Sequence, residues 1–508
     1  MNYYEIEKQM QIVQKMCCVC PPTQFRRQNV CMRRQKKNFA ACVFLVVSAS
    51  LVGSAALPPG MEDYHLQDFC GESVWVGFAS VLASGSIESV RSALAPLVAD
   101  PSLGLRCATA VASGCRMLAL IDEQNGHSVR ALRLHQLSTI FLSFDFTMKG
   151  SEWINESHWG VKWEESVGGV LGAMVRFHGR AEGGWREKTM REVLESREGH
   201  QRPSRIAIVT VCEYDSSQTP LAALSKANKQ RYADKHGYSL FFFDHAPLFE
   251  DWFRENGQMY PSRPPAWSKI DAVLEVMSSG KFEWTMWMDC DSFFMDPGLK
   301  LESVVNVGEK KMADFEAEIS NMQTLKNWQP KSHTNLLPQQ IEEYNRLAEQ
   351  MIAADQPPEP LVSLITSEDG LMLNTGIFFV RTCTLAFHFL QRVRQLTFMR
   401  NPTTFHSWWE QTGMMLLLFG EAVFENDSKS DDLDYPPYTH FYAQKQLNVY
   451  PPLIASMLKT HVAYEEGDFI VSFSGCKIYT SQAVCNNLFL DYAHRAASVG
   501  SVGEWVRE

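Results

Sequence analysis

From Arg205 onward the apolar residues fall into short unbroken runs separated by helical stretches, and that order constrains the fold more than any other feature of the chain. IAIVTV, Ile206–Val211, is a continuous apolar run of buried-strand length. PLAALSKANKQRYADKHG then reads as a helix that starts near Pro220 and stops at Gly237, with basic residues late. YSLFFFD, Tyr238–Asp244, is the next strand. Strand, helix, strand in this order predicts a parallel sheet with a right-handed crossover. AWSKIDAVLEVMSSG supplies a second amphipathic helix, Trp267–Met277, again closed by a glycine, and a further strand follows in EWTMWMDCDSFFMDP.

That last strand ends on two carboxylates. Side chains i and i+2 of a strand share a face, so Asp289 and Asp291 are expected side by side with Cys290 turned inward. Two anions at that distance repel unless a cation or a proton is shared between them. A hard divalent ion with oxygen ligands, Mn²⁺ or Mg²⁺, is the natural partner, with substrate phosphates filling its other positions. A bare D-x-D also occurs in solvated loops; the strand before it and the turn at Pro297 favour the ligand reading, because open α/β sheets bind ligands at strand ends.

At 508 residues the chain exceeds one ordinary core. A net charge of −11 argues against a nucleic-acid partner. The N-terminus differs: Arg26, Arg27, Arg33, Arg34, Lys36 and Lys37 precede the uncharged run Phe39–Leu57, which as a helix spans about 28 Å. The positive-inside tendency puts residues 1–38 in the cytosol, 39–57 across a membrane as a signal anchor and the rest in the lumen. Ser54, Ala55 and Ala56 also suit a cleaved signal peptide, but the long basic lead and the length of the run favour the anchor.

Cys17, Cys18, Cys20 and Cys31 fall on the cytosolic side, where acylation suits them better than zinc. Cys70, Cys107, Cys115, Cys212, Cys290, Cys383, Cys476 and Cys485 face an oxidising lumen, where some are expected to pair. Cys212 and Cys290 end strand-like runs and are expected to pack as small buried hydrophobes. Asn155 and Asn426 head glycosylation acceptor patterns.

Residues 58–203 read as a lumenal stem: an Ala/Leu/Val-rich helical unit from Ser73 to Phe146, then a polar, Gly-rich linker from Gly150 to Arg202. Residues 204–480 form the α/β domain, and 481–508 a C-terminal extension. Within the domain a polar, helix-prone insertion at about 310–358, ending in QPPEP, is placed to cover the site or bind a partner.

The stretches NKQRYADKHGY, AWSKI, WMDCDSFFMDP, LNTGIFFVR, the Glu410-Gln411 pair in SWWEQTGMMLLL, NVYPP and GDFIVSFSGCK occur in that order. Together they resemble glycosyltransferase family 34, which includes fungal Golgi α-galactosyl- and mannosyltransferases and plant xyloglucan xylosyltransferases. The resemblance implies a GT-A fold, a Rossmann-like nucleotide-sugar-binding sheet with D-x-D. It is preceded by one transmembrane helix and a helical spacer, in a type II Golgi membrane protein. It implies a retaining transfer of galactose, mannose or xylose to a glycan acceptor with an α-linkage, from a UDP-sugar sooner than from GDP-mannose, by a hetero- or homo-oligomer.

Residue by residue, the resemblance gives Asp289 and Asp291 to the metal and places Lys269, Asn374, Gly376 and Lys477 at the donor. Glu410 and Gln411 come beneath the reacting carbon. Retention can come from a double displacement on a carboxylate or from front-face departure and attack, the route favoured here. One departure matters: where the family has a histidine metal ligand, this chain has Ser472. A hydroxyl is a poorer ligand for a transition ion than imidazole, and His461 is a nearby substitute. A non-catalytic member that stabilises a partner transferase is therefore the alternative. A phosphatase of the haloacid dehalogenase type would also use a D-x-D, but has Thr or Val where Phe293 stands.

Overall fold

The computed structural model describes residues 87–99, 107–149, 189–195, 205–214, 219–245, 254–255, 258–259, 264–306, 315–328, 338–355, 362–369, 372–396, 403, 406, 408–424, 438–458 and 462–502. The run Phe39–Leu57, Asn155, Asn426 and His461 lie outside these. Among the described residues no helix is long and apolar enough to cross a membrane. The chain divides into two compact units.

The first unit is helical. It contains α1 (Ile87–Ala99), α2 (Ala108–Asn125) and α3 (Ser128–Lys149), the helices expected from the Ala/Leu/Val pattern. Gly126, at φ +85°, ends α2 in the left-handed conformation that a residue without Cβ adopts at little cost. Asp122 near that end accepts two hydrogen bonds from Arg130 in α3, at 2.6 and 2.7 Å, a bidentate pair that fixes the hairpin. Cys107 is disulfide-bonded and Cys115 is a buried free thiol.

The second unit is a mixed α/β fold. In chain order it comprises α4 (Met190–Glu195), β1 (Ile206–Val211), α5 (Leu221–His236), β2 (Ser239–Phe243), a small hairpin of β3 (Arg254–Glu255) and β4 (Gln258–Met259), α6 (Ser268–Ser278), β5 (Trp284–Met288) and β6 (Ser292–Phe294). After α7 (Leu301–Val305) come two helices, α8 (Phe315–Trp328) and α9 (Pro338–Asp355), then β7 (Leu364–Asp369), β8 (Met372–Arg381) and α10 (Thr384–Gln395). α11 (Trp409–Phe424), β9 (Thr439–Ala443), α12 (Gln444–Leu447), α13 (Pro452–Leu458), β10 (Ile470–Ser472), α14 (Cys476–Tyr479) and α15 (Gln482–Val502) complete the described chain. Residues 419–424 of α11 belong to the first unit.

The central sheet has the order β2-β1-β5-β8-β7-β9. β1 pairs in parallel with β2 and β5, as the strand–helix–strand order predicts, and β7 with β9. β8 lies antiparallel between β5 and β7, which nothing in its composition signalled. The continuous apolar runs are buried as expected: every residue of β5 and of β8 is inside. Gly237 closes α5 at φ +76°, its N–H bonding to the Ala233 carbonyl. One face of the sheet is packed by Met190, Ile208, Tyr232, Trp284, Met286, Ile365, Phe379 and Tyr442. Fully burying a side chain of this size contributes about 2–3 kcal/mol each. Tyr232 stacks on Phe294 at 3.7 Å between centroids.

Three expectations need correction. α4, inside the stretch read as linker, is built into this unit: Met190 is in the core and Arg191 pairs with Asp296 at 2.5 Å. Cys212 and Cys290 are disulfide-bonded to each other, Cα atoms 5.2 Å apart, instead of packing as separate thiols; β1 and β5 are neighbours, so residues just past their ends meet. A second bond joins Cys476 to Cys485, while Cys383 is free and buried.

The third concerns the insertion as a cover for the site: its described residues form α8 and α9, which attach at the other end of the sheet from the strand ends that carry the D-x-D. A Cβ on Gly280, beyond the C-terminus of α6, would come 2.8 Å from Ile319 of α8. Glu318 of α8 accepts from the Thr384 N–H and hydroxyl at the start of α10, at 2.7 and 2.5 Å. Tyr344 of α9 faces His388 of α10. The chain then re-enters the sheet at Leu364, opposite Val380, at the end away from Asp289.

Candidate active site

The carboxylate turn begins where β5 stops. The strand ends at Met288, so Asp289 and Asp291 sit in a turn, and the strand alternation expected to align them does not apply. The turn is held by its own backbone: Asp289 N–H donates to Gly376 O at 2.8 Å, Ser292 N–H to Asp289 O at 3.1 Å and Phe473 N–H to Asp291 O at 2.8 Å. The Lys229 ammonium, wholly buried on α5, donates to the carbonyl of Ser292 at 2.8 Å, of Cys290 at 3.4 Å and to Ser225 Oγ at 2.6 Å. Burial pushes the Lys229 pKa down to about 7 against the pull of the Asp291 and Asp289 charges. Burial, then the Asp289 charge, push the Asp291 carboxyl up to about 7, with Lys229 and Lys269 opposing.

β8 brings the next group. Because it runs antiparallel to β5, its early residues lie at the D-x-D end, with Ile377 opposite Met288. Asn374 and Gly376 are therefore in mid-strand, not in a tight turn. Asn374 Oδ1 accepts from the Gly376 N–H at 2.7 Å, and its amide donates to Asp369 at 2.7 Å and to the Tyr450 hydroxyl at 3.1 Å. Tyr450 also donates to Asp369 at 2.5 Å. Burial raises the Asp369 carboxyl, and these two hydrogen bonds oppose it. Gly376 leaves an open cradle: a Cβ there would stand 2.9 Å from Asn374 Oδ1, 3.2 Å from Asp289 Oδ2 and 3.7 Å from Ser474 Oγ.

α6 and α11 contribute the centre. The Lys269 ammonium donates to Glu410 Oε1 at 2.7 Å, lies 3.1 Å from Asp289 Oδ1 and 3.2 Å from the Thr375 carbonyl. A lysine read as reaching the donor is thus spent on protein groups. Burial works against its charge, but Asp289 and Glu410 outweigh that and raise its pKa. Thr375 Oγ1 donates to Glu410 Oε1 at 2.8 Å, and the Thr375 N–H to Gln411 Oε1 at 3.3 Å. Glu410 Oε2 is buried without a hydrogen-bond partner. Burial raises the Glu410 carboxyl against the pull of Lys269. Trp409, at φ +43°, precedes it, a conformation costly for a bulky residue.

The structure thus gathers Lys269, Asp289, Asn374, Gly376, Glu410 and Gln411 around Thr375, with Asp291 on the same turn as Asp289. Ser472 is buried in β10 and shares a 2.9 Å hydrogen bond with Ser474, whose hydroxyl reaches the Gly376 cradle. Lys477 is exposed and stands over the Tyr214 ring at 4.7 Å. Sequence reasoning passed over Thr375, Lys229, Ser474, Asp369 and Tyr450. All but Asp369 lie inside stretches already singled out, Tyr450 in NVYPP, and Asp369 carried no signal of its own.

The donor set suits a hard divalent cation in part. Asp289 Oδ2 and Ser474 Oγ border the cradle, and Asp291 is driven toward protonation by burial and then by the Asp289 charge. Among the described residues no group of three His, Cys, Asp or Glu side chains converges to complete a protein cage, so phosphate oxygens and water would fill the remaining positions.

Residues 202–483 match the galactosyl transferase GMA12/MNN10 family. A Schizosaccharomyces pombe protein named "Uncharacterized alpha-1,2-galactosyltransferase C637.06" is 32% identical over 89 residues, 17% of this chain and 23% of that protein. The Saccharomyces cerevisiae protein named "Probable alpha-1,6-mannosyltransferase MNN10" is 23% identical over 270 residues, 50% of this chain and 56% of that protein. The chain therefore spans less than two thirds of either relative. A crystal structure of a glycosyltransferase involved in the glycosylation of the major capsid of PBCV-1 is matched over 56% of this chain and 98% of that one. Its identity is 14% and its TM-score 0.29, below the level at which a shared fold can be read. With the match to residues 202–483 covering more than half of its length, the chain belongs to the galactosyl transferase GMA12/MNN10 family.

Proposed function

We propose that this chain is a retaining glycosyltransferase of GT-A fold, which moves galactose, mannose or xylose from a nucleotide-sugar, a UDP-sugar before GDP-mannose, to a glycan acceptor with an α-linkage. The observation that carries the reading is the Lys269 ammonium, which draws Asp289 of the D-x-D and Glu410 of α11 to one point beside Thr375. A sugar diphosphate seated on the D-x-D would place its sugar against Thr375–Gly376 and Glu410.

Asp289 and Asp291 would hold Mn²⁺ or Mg²⁺, which when bound supplies positive charge to the departing diphosphate. The exposed Lys477 ammonium would serve the same phosphates as a point charge. Glu410 Oε1 is saturated by Lys269 and Thr375, so Oε2 is the atom left to face the anomeric carbon. Gln411 uses its carbonyl on the Thr375 N–H, which leaves its amide to donate to a sugar or acceptor hydroxyl. On the front-face route the bond from C1 to the phosphate oxygen breaks and a bond from C1 to the acceptor oxygen forms on the same side. The acceptor's hydroxyl proton passes to the departing phosphate oxygen. Glu410 lends negative charge to the oxocarbenium-like centre.

The basic segment before Phe39–Leu57 supports a type II Golgi membrane placement with the α/β unit in the lumen. Ser472 supports a second reading, a partner-stabilising subunit, because its hydroxyl is buried and engaged with Ser474. The test is calorimetric binding of UDP and GDP to the full chain with Mn²⁺, with Mg²⁺ and with chelator, beside Asp291→Asn. Ion-dependent binding lost in the variant, together with sugar transfer, is the expected result. No binding by folded protein would move the function to the second reading.

A further inference from the structure

The residue between the two carboxylates is covalently tied to the end of the neighbouring strand, β1. Cys290 is buried and bonded to Cys212, the first residue after β1, whose N–H in turn donates to Phe243 O at the end of β2 at 2.9 Å. Among the described residues the other restraints on this turn are hydrogen bonds to its main chain at Asp289, Asp291, Ser292 and two carbonyls, and the Trp287 Nε1–H at 2.7 Å and Lys269 ammonium at 3.1 Å on the Asp289 carboxylate. The disulfide grips the side chain that stands between the two aspartates. Lys269, 3.1 Å from Asp289 Oδ1, offsets only part of the repulsion between Asp289 and Asp291, and a turn free to swivel about Cys290 relieves the rest by parting them. A turn already fixed avoids the ordering cost that binding would otherwise carry.

We propose that the Cys212–Cys290 disulfide is a positioning group for donor binding, which holds Asp289 and Asp291 at the spacing that a cation and a nucleotide diphosphate require. The inference rests on the donor-site reading above. The Cys476–Cys485 bond, which joins α14 to α15 nine residues apart in sequence, provides the internal control, since it lies in the same buried cluster as Cys212–Cys290 but joins neither residue to the carboxylate turn.

The experiment uses the full chain purified without reductant. Peptide mapping should recover residues 212 and 290 cross-linked; free thiols at both would overturn the proposal. Calorimetry with UDP and GDP in the presence of Mn²⁺ should show an affinity weakened by about tenfold in Cys212→Ser/Cys290→Ser, the size typical of a lost supporting group at a metal site. Cys476→Ser/Cys485→Ser should lower thermal stability and keep nucleotide affinity within about twofold. Unchanged affinity in the first variant, or equal losses in both, would overturn the assignment. If the first variant does not fold, wild-type protein is treated with a phosphine, which is oxidised to its oxide as the disulfide takes up two electrons and two protons. Folded protein shown by alkylation to carry both thiols should bind nucleotide more weakly, and unchanged binding again sinks the idea. Absence of ion-dependent binding in the untreated wild type is a different failure, that of the donor site itself.

Discussion

The Lys269 ammonium stands 2.7 Å from the Glu410 carboxylate, and both side chains are almost sealed from solvent, at 7% and 4% exposure. A charge pair at that depth is costly to leave half-made. Lys269→Met strips the cation from two carboxylates at once, and should lower unfolding free energy by about 3–5 kcal/mol. Urea unfolding of the single variant and of Lys269→Met/Glu410→Gln checks this. The double variant should recover part of the loss, and no recovery would mean that Lys269 stabilises through packing alone.

Lys229→Met keeps the buried stem but removes the donor to Ser292 O, Cys290 O and Ser225 Oγ. Carbonyls left without a partner cost about 1–3 kcal/mol. The carboxylate turn loosens, so KM for the donor should rise more than kcat falls. A pure kcat loss with KM intact would contradict this role.

Gly376→Ala puts a methyl into the cradle between Asn374 Oδ1, Asp289 Oδ2 and Ser474 Oγ. Stability should change by about 1–3 kcal/mol, the cost of mild overpacking, while ion-dependent nucleotide binding is abolished. Gly413→Ala, which crowds Trp267 at 3.0 Å instead, should cost similar stability and spare binding. Equal binding in both variants would remove Gly376 from the site.

His388 and His406 are kept neutral by burial, which holds each pKa down to about 3, with Arg392 adding to the effect at His388. Unfolded imidazoles titrate near 6.5. Below that pH the unfolded chain takes up protons that the folded one does not, so the stability tied to these rings is complete above about 6.5. It is lost progressively as pH falls towards 3. At pH 5 each ring costs about 2 kcal/mol. Urea titrations at pH 7.5 and 5 should show a smaller acid loss in His388→Phe than in wild type, and an equal loss would rule out this origin.

How far the sequence could be read followed from the range of the forces involved. Strands β1, β2 and β5, helices α5 and α6 and their glycine stops rest on local periodicity and turn chemistry, and each stands within a residue or so of its expected place. The D-x-D was legible as a pair, though its geometry comes from a backbone-bonded turn and not from strand alternation. The Lys269 role was half legible: AWSKI marked the residue, but only the packing of α6 against β8 and α11 shows that its charge is spent within the protein. The antiparallel setting of β8, the Cys212–Cys290 bond and the Asp369–Tyr450 contact join residues distant in sequence, and pairings of that kind leave no periodic trace.

The helices α8 and α9 attach where β8 ends and β7 begins, at the rim of the sheet farthest from the aspartates. The described part of the segment between Asn306 and Val362, α8 and α9, is therefore anchored away from the aspartates. For an engineer it is a docking port: a reporter, an affinity handle or a shortened linker can be grafted there. The risk is exposure of the α10 surface, while the cluster of Asp289, Lys269 and Glu410 at the opposite rim should keep its geometry.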